Sequence, residues 1–159
     1  MKTHTVREYE EELKEIRKRL LRMAGRVEEM ISNAVKALID RDVDLAERTI
    51  ASDHKVNRDE MESDDLCLTI LARRQPMAGD LRFITQALKM VTDLERIGDL
   101  AVNISERAID LAQVPPLKAW QDVPRMAELT RSMVRDAIDA FMEHDVEKAK
   151  TVIQRDNEA

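Results

Sequence analysis

The chain has 159 residues, 36% of them charged, and a formal net charge of −6 at pH 7. Only three glycines, four prolines and one cysteine occur in it, which favours long helices and excludes an extensive sheet or an internal disulfide framework. Acidity without a dense basic face argues against nucleic-acid binding, and no apolar run approaches the roughly 20 residues that span a bilayer. We therefore expect an all-α protein that is cytoplasmic and not inserted in a membrane.

The first helix is predicted from about Val6 to Leu38 by a heptad pattern. The polar segment 40–44 ends this helix, and Asp42 is a suitable N-cap for a second helix that runs to about Arg74. So short a joint predicts an antiparallel hairpin. The two apolar heptad positions are occupied by Val6, Leu13, Leu20, Val27 and Ala34, and by Tyr9, Ile16, Met23, Met30 and Ala37.

The second helix carries polar residues where its apolar stripe should continue. A slightly rotated stripe through Val56 and Met61 is an alternative, and it turns some of the polar residues toward water. The stripe first considered begins with Ala46 and Ile50 and ends with Cys67, Leu68 and Leu71, while its intervening members are Asp53, Asn57, Glu60 and Asp64.

The third helix, which is expected to begin near Pro76 or Met77, shows the same departure. Its stripe of Leu81, Ile84, Leu88 and Val91 continues with Glu95 and Gly98 before apolar residues return at Val102, Ile109 and Ala112. Asp99 and Asn103 extend the row of Glu95, because residues four apart project from one side of a helix. Gly98 is expected to leave room for a neighbouring helix or an ion.

The turn at Pro76 brings the two polar rows to one height, since residues equally distant from the turn face each other. Asp53 is then level with Asp99, and Asn57 with Glu95. Carboxylate and amide oxygens are hard donors that suit Mg, Mn, Ca or ferric Fe and can also hold Zn. The sequence therefore predicts a metal site formed by Glu95, Asp99, Asp53, Asn57 and Asn103.

An ion network is the main alternative, in which Glu95 and Asp99 pair with Arg96, Arg82 or Arg58 and fix the helix register. A solvated acidic face is the third interpretation. Di-iron chemistry is disfavoured, because none of the three histidines follows a glutamate by three positions. A two-carboxylate hydrolase lacks an evident cleft, oxyanion hole or nucleophile, so we expect a protein that is not an enzyme.

Consecutive prolines in the segment 114–118 predict a linker between a first unit, 1–113, and a second unit, 119–159. The second unit repeats the first at a constant offset and includes the interhelical joint. The fold is thus predicted to be an antiparallel three-helix bundle followed by an incomplete second copy, with one helix from about Val123 to Met142 and the start of the next. The offset aligns Met30 with Met133, Ala34 with Ala137, Ala37 with Ala140, Asp42-Val43 with Asp145-Val146, Ala46 with Ala149, Ile50 with Ile153 and Asp53 with Asp156.

The second unit is expected to expose an apolar stripe, because no counterpart of the third helix covers it. A stripe of this size exceeds what monomers normally expose, so we expect a homodimer in which residues after Pro116 form most of the contact. The stripe consists of Val123, Met126, Met133, Ala137 and Phe141, extended by Val146, Ala149 and Ile153.

Several of these motifs together resemble the PhoU family of bacterial phosphate-signalling proteins. They are the run Glu95-Arg96-Ile97-Gly98-Asp99, the segments Arg74-Gln75-Pro76 and Asp80-Leu81-Arg82, the segment from Asp53 to Asn57, and the duplicated layout. The resemblance implies two tandem three-helix bundles that bind metal through Glu/Asp-x-x-x-Asp motifs. Here that motif is Glu95 and Asp99, with Asp53, Asn57 and Asn103 beside it. The segment that begins at Asp53 ends in Asn instead of Asp, and the second acidic motif of the family has no counterpart.

The resemblance also implies a function. It suggests a cytoplasmic negative regulator that contacts a phosphate-sensing histidine kinase and the ATPase of a phosphate ABC transporter when phosphate is plentiful. It leaves the metal open among Fe, Zn, Mn, Mg and Ca. A purely structural helical bundle or adaptor without metal is the alternative function.

Overall fold

The computed structural model describes residues 2–115 and 122–158, with side chains for 7–115 and 122–157. Within these ranges the chain forms helices and no β-strand, which confirms the all-α fold class. α1, α2 and α3 pack against one another, α4 packs on α1, and α5 contacts α4. The helices are α1 (Lys2–Asp40), α2 (Val43–Arg74), α3 (Ala78–Ala112), α4 (Val123–Glu143) and α5 (Val146–Arg155), followed by a 3₁₀ turn at Asp156–Glu158.

The core is built on the heptad positions predicted for α1. Ile16, Leu20, Met23 and Val27 are each no more than 1% exposed, and they share one apolar cluster with buried residues of α2, α3 and α4. Removal of such side chains from water is the main driving force for bringing the helices together. The side chain of Val6 lies outside the described residues.

The joint between α1 and α2 contains its own stop and start signals. Arg41 adopts the left-handed conformation with φ 56°, and Asp42 N donates to Ala37 O at 3.0 Å, which closes the end of α1. The Asp42 carboxylate accepts a hydrogen bond from Leu45 N at 2.9 Å and caps α2. The N-cap predicted at Asp42 is confirmed.

The joint between α4 and α5 has the same stereochemistry. His144 is left-handed with φ 56°, Asp145 N donates to Ala140 O at 2.9 Å, and the Asp145 carboxylate accepts from Lys148 N at 2.9 Å. Each group occupies the position that the predicted offset assigns to it. The shared joint is an observation, whereas the division of the chain into two repeats stays a prediction.

The start of α3 lies one or two residues later than predicted. Gln75 ends α2 in the left-handed conformation with φ 50°, and Met77 is extended with φ −120° and ψ 156°, so the helix begins at Ala78. After α3, residues 113–115 are outside any helix, and the last two of them belong to the predicted linker. The rest of that linker, 116–118, falls outside the described residues. No helix in the described part of the chain combines the length and apolarity needed to cross a bilayer.

α4 is covered more fully than the sequence predicted. Val134, Ile138 and Ala140 are buried, and the ring of Phe141 stacks on Phe83 of α3 with their centroids 5.3 Å apart. The prediction of a wholly uncovered stripe is therefore wrong for Phe141, because α4 turns this side toward α1 and α3. Met126, Val146 and Ile153 do remain exposed.

Candidate metal site

α2 turns toward the core the side that the alternative, rotated stripe predicted. Val56 is 0% exposed and confirms that stripe, whereas Met61 is 71% exposed and does not. The row of four polar residues consequently lies at the edge of the interface and not at its centre. These half-buried residues are Asp53, Asn57, Glu60 and Asp64.

α3 is rotated in the same sense relative to its predicted stripe. Leu94, Gly98 and Ala101 are buried, while Glu95 is half-buried and Asp99 and Asn103 are exposed. Glu95 thus borders the core instead of occupying it. Its carboxylate can reach solvent, which lowers the cost of carrying a charge at this position.

The height match between the two helices is visible where Asp53 approaches Gly98. A Cβ at position 98 would lie 3.9 Å from Asp53 Oδ1 and 3.4 Å from Val56 Cγ1. Asp53 Oδ2 accepts a hydrogen bond from Asn57 Nδ2 at 2.8 Å. Among the described residues, Asp53 Oδ1, Asn57 Oδ1 and Asp64 Oδ1 are buried without a hydrogen-bond donor, so three oxygens of the polar row remain unsatisfied.

Burial and neighbouring negative charges raise the pKa of two glutamates, one on each helix. Burial raises the pKa of Glu95, and the negative charges of Asp99, Glu60 and Asp53 raise it further. Burial and the charges of Asp64 and Asp99 raise the pKa of Glu60, an effect that the Thr92 side chain partly opposes. We call this set the acidic groove: Asp53, Asn57, Glu60, Asp64, Glu95 and Asp99.

The ion network expected as the alternative does not form here. In the described part of the chain, neither Glu95 nor Asp99 has an ion-pair partner within 4.0 Å, whether Arg96, Arg82 or Arg58. That alternative is wrong for these residues, because Arg96, Arg82 and Arg58 are all exposed and make no such pair in that part of the chain.

A buried ion network occurs instead between α1 and α2. The Asp59 side chain, 5% exposed, lies 2.8 Å from Arg22 Nη2 and 2.8 Å from Arg26 Nε. The Arg26 contact lacks hydrogen-bond orientation, so its attraction is coulombic. This pairing was not predicted, because Asp59 is not a member of the polar row of α2.

The oxygen donors of the acidic groove fit a hard cation. Neighbouring carboxylates raise the pKa of Glu60 and Glu95, and, in the described part of the chain, three buried oxygens beside them lack a hydrogen-bond donor. Both observations favour an ion that neutralises the negative charge. Within the described ranges, no three His, Cys, Asp or Glu side chains already converge as a metal site. Asn103, one turn beyond Asp99 and exposed, is the most peripheral of the five predicted ligands.

Glu60 belongs to the acidic groove, as Asp64 does, although neither was in the predicted ligand set. The negative charge of Asp99 across the interface raises the pKa of the Glu60 carboxyl, whereas the sequence favoured a solvated position for this residue. The pairing of the two helices about Pro76 carried the missing signal, because it places Glu60 level with Thr92, one turn from Glu95.

Long antiparallel helices, a repeated joint and an oxygen-lined groove define an all-helical bundle with a candidate cation site. Residues 20–108 and 123–159 match the family described as PhoU domain. The chain belongs to the PhoU family, as its motifs indicated.

Its relatives support this assignment over nearly the whole chain. The phosphate-specific transport system accessory protein PhoU homolog of Aquifex aeolicus is 42% identical over 146 residues, which are 92% of this chain and 66% of the relative. The homolog of Pseudomonas putida is 43% identical over 154 residues, which are 96% of this chain and 60% of the relative. The chain thus spans somewhat less than two thirds of the length of these relatives.

Solved structures agree with the helical arrangement. The crystal structure of PhoU from Pseudomonas aeruginosa matches with a TM-score of 0.89 and 41% identity, over 94% of this chain and 72% of that one. The phosphate transport system regulatory protein PhoU from Streptococcus pneumoniae matches with a TM-score of 0.85 and 30% identity, over 94% and 70%.

Proposed function

We propose that this chain is a metal-binding, cytoplasmic regulator of phosphate uptake and phosphate-starvation signalling, and not an enzyme. The observation that carries the proposal is its identity with relatives named phosphate-specific transport system accessory proteins. In this role it restrains a phosphate-sensing histidine kinase and the ATPase of a phosphate ABC transporter. Long helices with polar outer faces suit such an adaptor, because they offer continuous surfaces to other proteins.

The regulatory role is tested by deleting the native gene and measuring starvation-gene output in phosphate-rich medium. We expect output to rise, because the restraint on the kinase is lost, and to fall again when the wild-type gene is restored. Output that stays repressed in the deletion strain contradicts the role. Purification with the kinase and the transporter ATPase then identifies which of the two the protein contacts.

The metal part of the proposal assigns the ion to Glu95, Asp99 and Asp53, with Asn57 and Asn103 beside them. The cation would offset the repulsion between the carboxylates. It would also give Asp53 Oδ1, which has no hydrogen-bond partner among the described residues, a positive charge to coordinate. Fe, Zn, Mn, Mg and Ca all accept such oxygen donors, and elemental analysis of the purified protein distinguishes them.

A paired substitution tests the metal assignment. Glu95→Gln with Asp99→Asn keeps side-chain size and removes two charges, so bound metal should be lost while helicity is retained. Glu106→Gln with Asp110→Asn is a matched control, because it has the same spacing on the same helix and both residues are exposed. Equal metal content in both variants contradicts the assignment and favours the alternative of a structural adaptor without metal.

We also propose that two copies associate through the open side of α4 and α5. An apolar groove of about 690 Å³ lies between α3 and this pair, and includes Phe83, Phe141 and Val152. Val146 and Ile153 at its border are 63% and 71% exposed, and a second copy offers the same apolar face about a two-fold axis. Light scattering over a dilution series should show a dimer that Val146→Glu with Ile153→Glu dissociates, and a monomer at all concentrations contradicts this.

A further inference from the structure

A second polar groove lies between α1 and α2, on the edge of α2 opposite the acidic groove. Its volume is about 270 Å³. Positions 48, 52 and 55 follow one side of α2, and positions 26, 29 and 33 follow one side of α1, so both helices turn a polar row toward the same space. We call it the basic groove, and its polar members among the described residues are Arg26, Glu29, Asn33, Arg48, Thr49, Ser52 and Lys55.

The basic groove concentrates positive charge on an acidic chain. Three cations and one carboxylate line it, although the chain as a whole carries a net charge of −6. In the part of the chain that the structure describes, Arg48 and Lys55 have no carboxylate within 4.0 Å. Arg26 is partly neutralised by Asp59, to which its Nε lies at 2.8 Å. Among the described residues of the groove, Arg48 and Lys55 are then the two cations without an acidic partner, and an anion in the groove would compensate their charge.

The donors and the size of the groove define the anion. Guanidinium groups hold tetrahedral and planar oxyanions through two parallel hydrogen bonds, and an ammonium adds a point charge. The Asn33 amide and the Ser52 hydroxyl provide neutral donors, the latter now donating to Thr49 O at 2.7 Å. The volume is below the roughly 300–1,000 Å³ that drug-sized ligands occupy, which suits one small oxyanion with a few waters better than a nucleotide.

We propose that the basic groove binds a small tetrahedral oxyanion, and that free inorganic phosphate is its ligand. Arg48 and Lys55 supply the charge, Asn33 and Ser52 orient the oxygens, and Arg26 closes the end of the groove near Asp59. The site needs no metal ion. Its existence does not depend on the acidic groove or on the regulatory role.

The experiment is calorimetric titration of the metal-free protein, prepared with a chelator, with inorganic phosphate in about 0.1 M chloride to screen non-specific attraction. We expect saturable binding with one site per chain, competition by sulfate, and none by further chloride. Arg48→Gln with Lys55→Gln should weaken binding at least roughly tenfold, because two charge-assisted contacts are lost. Glu29→Gln should strengthen it severalfold, because the only carboxylate in the lining is removed.

The matched control is Lys89→Gln with Arg125→Gln, which removes the same charge from exposed positions elsewhere. Binding of phosphate that this control leaves unchanged supports the proposal. Absence of saturable binding, or equal weakening in both double variants, overturns it. Binding of a phosphoserine peptide without binding of inorganic phosphate also overturns it, and would assign the groove to a protein partner. Metal content is measured separately, so failure here leaves the metal assignment untouched.

Discussion

The Asp53 carboxylate faces Gly98 across the interface of α2 and α3, with Oδ1 3.9 Å from the position that a Cβ at residue 98 would take. Val56 Cγ1 would lie 3.4 Å from the same Cβ. Both are ordinary van der Waals distances, so the interface has space for a methyl group. Gly98 therefore allows close approach without being required for it.

Gly98→Ala is accordingly expected to stabilise the metal-free protein by up to about 1 kcal/mol, since alanine favours the helix over glycine. Urea unfolding measures the change. Gly25→Ala is the matched control, because a Cβ at the exposed Gly25 meets nothing within 4 Å. A loss of more than about 1 kcal/mol in Gly98→Ala alone would show that the interface is tighter than these distances indicate.

Two glutamates are expected to respond in opposite directions when changed to glutamine. The raised pKa of Glu60 means that the folded state gains stability as pH falls through the folded-state value toward the ordinary one, so Glu60→Gln should stabilise the metal-free protein at pH 7. The hydrogen bond from Arg74 lowers the pKa of Glu12, and its stabilisation is lost as pH falls through that lowered value.

Glu12→Gln should consequently cost about 1 kcal/mol at pH 7, because Arg74 donates to both carboxylate oxygens, at 2.8 and 2.9 Å. Thermal unfolding of both variants across pH 3–8 shows whether Glu60→Gln stabilises the protein and Glu12→Gln destabilises it. The same sign at pH 7 for both substitutions would contradict the electrostatic description of the acidic groove.

Tyr9 is expected to titrate unusually late. Burial, together with its hydrogen bond to Asp80 Oδ2 at 3.0 Å, raises the pKa of Tyr9 to about 12. The stability that this contact supplies is fully present below the ordinary value of 10 and is lost as pH rises toward 12. Tyr9 is the only tyrosine, so absorbance of the phenolate reads it directly.

Asp80→Asn is the informative variant for this titration, because it removes both the charge and the strong acceptor. The midpoint for Tyr9 should then move back toward 10. An unchanged midpoint would mean that burial alone accounts for the shift.

Removal of the Asp59 charge and removal of its two arginine partners should lower the free energy of unfolding by different amounts. Arg22 and Arg26 are 40% and 35% exposed, so they can turn to water when Asp59→Asn removes their partner, at a cost of about 1 kcal/mol. Arg22→Met with Arg26→Met leaves a carboxylate that is 5% exposed without a cation, at a cost of about 3 kcal/mol. Urea unfolding measures the two losses in free energy of unfolding, with Arg107→Met and Arg125→Met as exposed controls. Equal losses in Asp59→Asn and in the double arginine variant would contradict this account.

The helices and the core of α1 could be predicted because large apolar residues such as Leu20 and Val27 recur at heptad spacing. The rotation of α3 could not. Its buried side includes several small residues, such as Ala87, Gly98 and Ala101. Their weak hydropathy is outweighed by that of Leu88 and Val102 at the border of the core. Close approach of two helices selects small side chains at the contact, and apolar periodicity alone does not detect them.

The sequence predicted which polar residues of α2 and α3 lie level with each other, but it did not predict how deeply they are buried. Asp53 and Glu95 were placed on facing helices because the turn at Pro76 fixes the pairing. Whether a residue points inward or lies along the edge depends on the rotation of its helix by a fraction of a turn. In α2 this rotation is the one that buries Val56. Glu60 was omitted for the same reason, and Asp59 entered the core because two long arginine side chains reach it from α1.

The joint between α1 and α2 and the joint between α4 and α5 share one local geometry. Residues 37–45 and 140–148 each contain, at matching positions, a left-handed residue, an aspartate cap and a closing backbone bond, all formed within the segment. The reversal of chain direction in each hairpin is therefore determined locally. The exception is Arg41, which reaches Ala112 O at 2.7 Å and ties the first joint to the end of α3. The His144 joint has no such tether within the described residues, so only the first hairpin is anchored to a third helix through its turn.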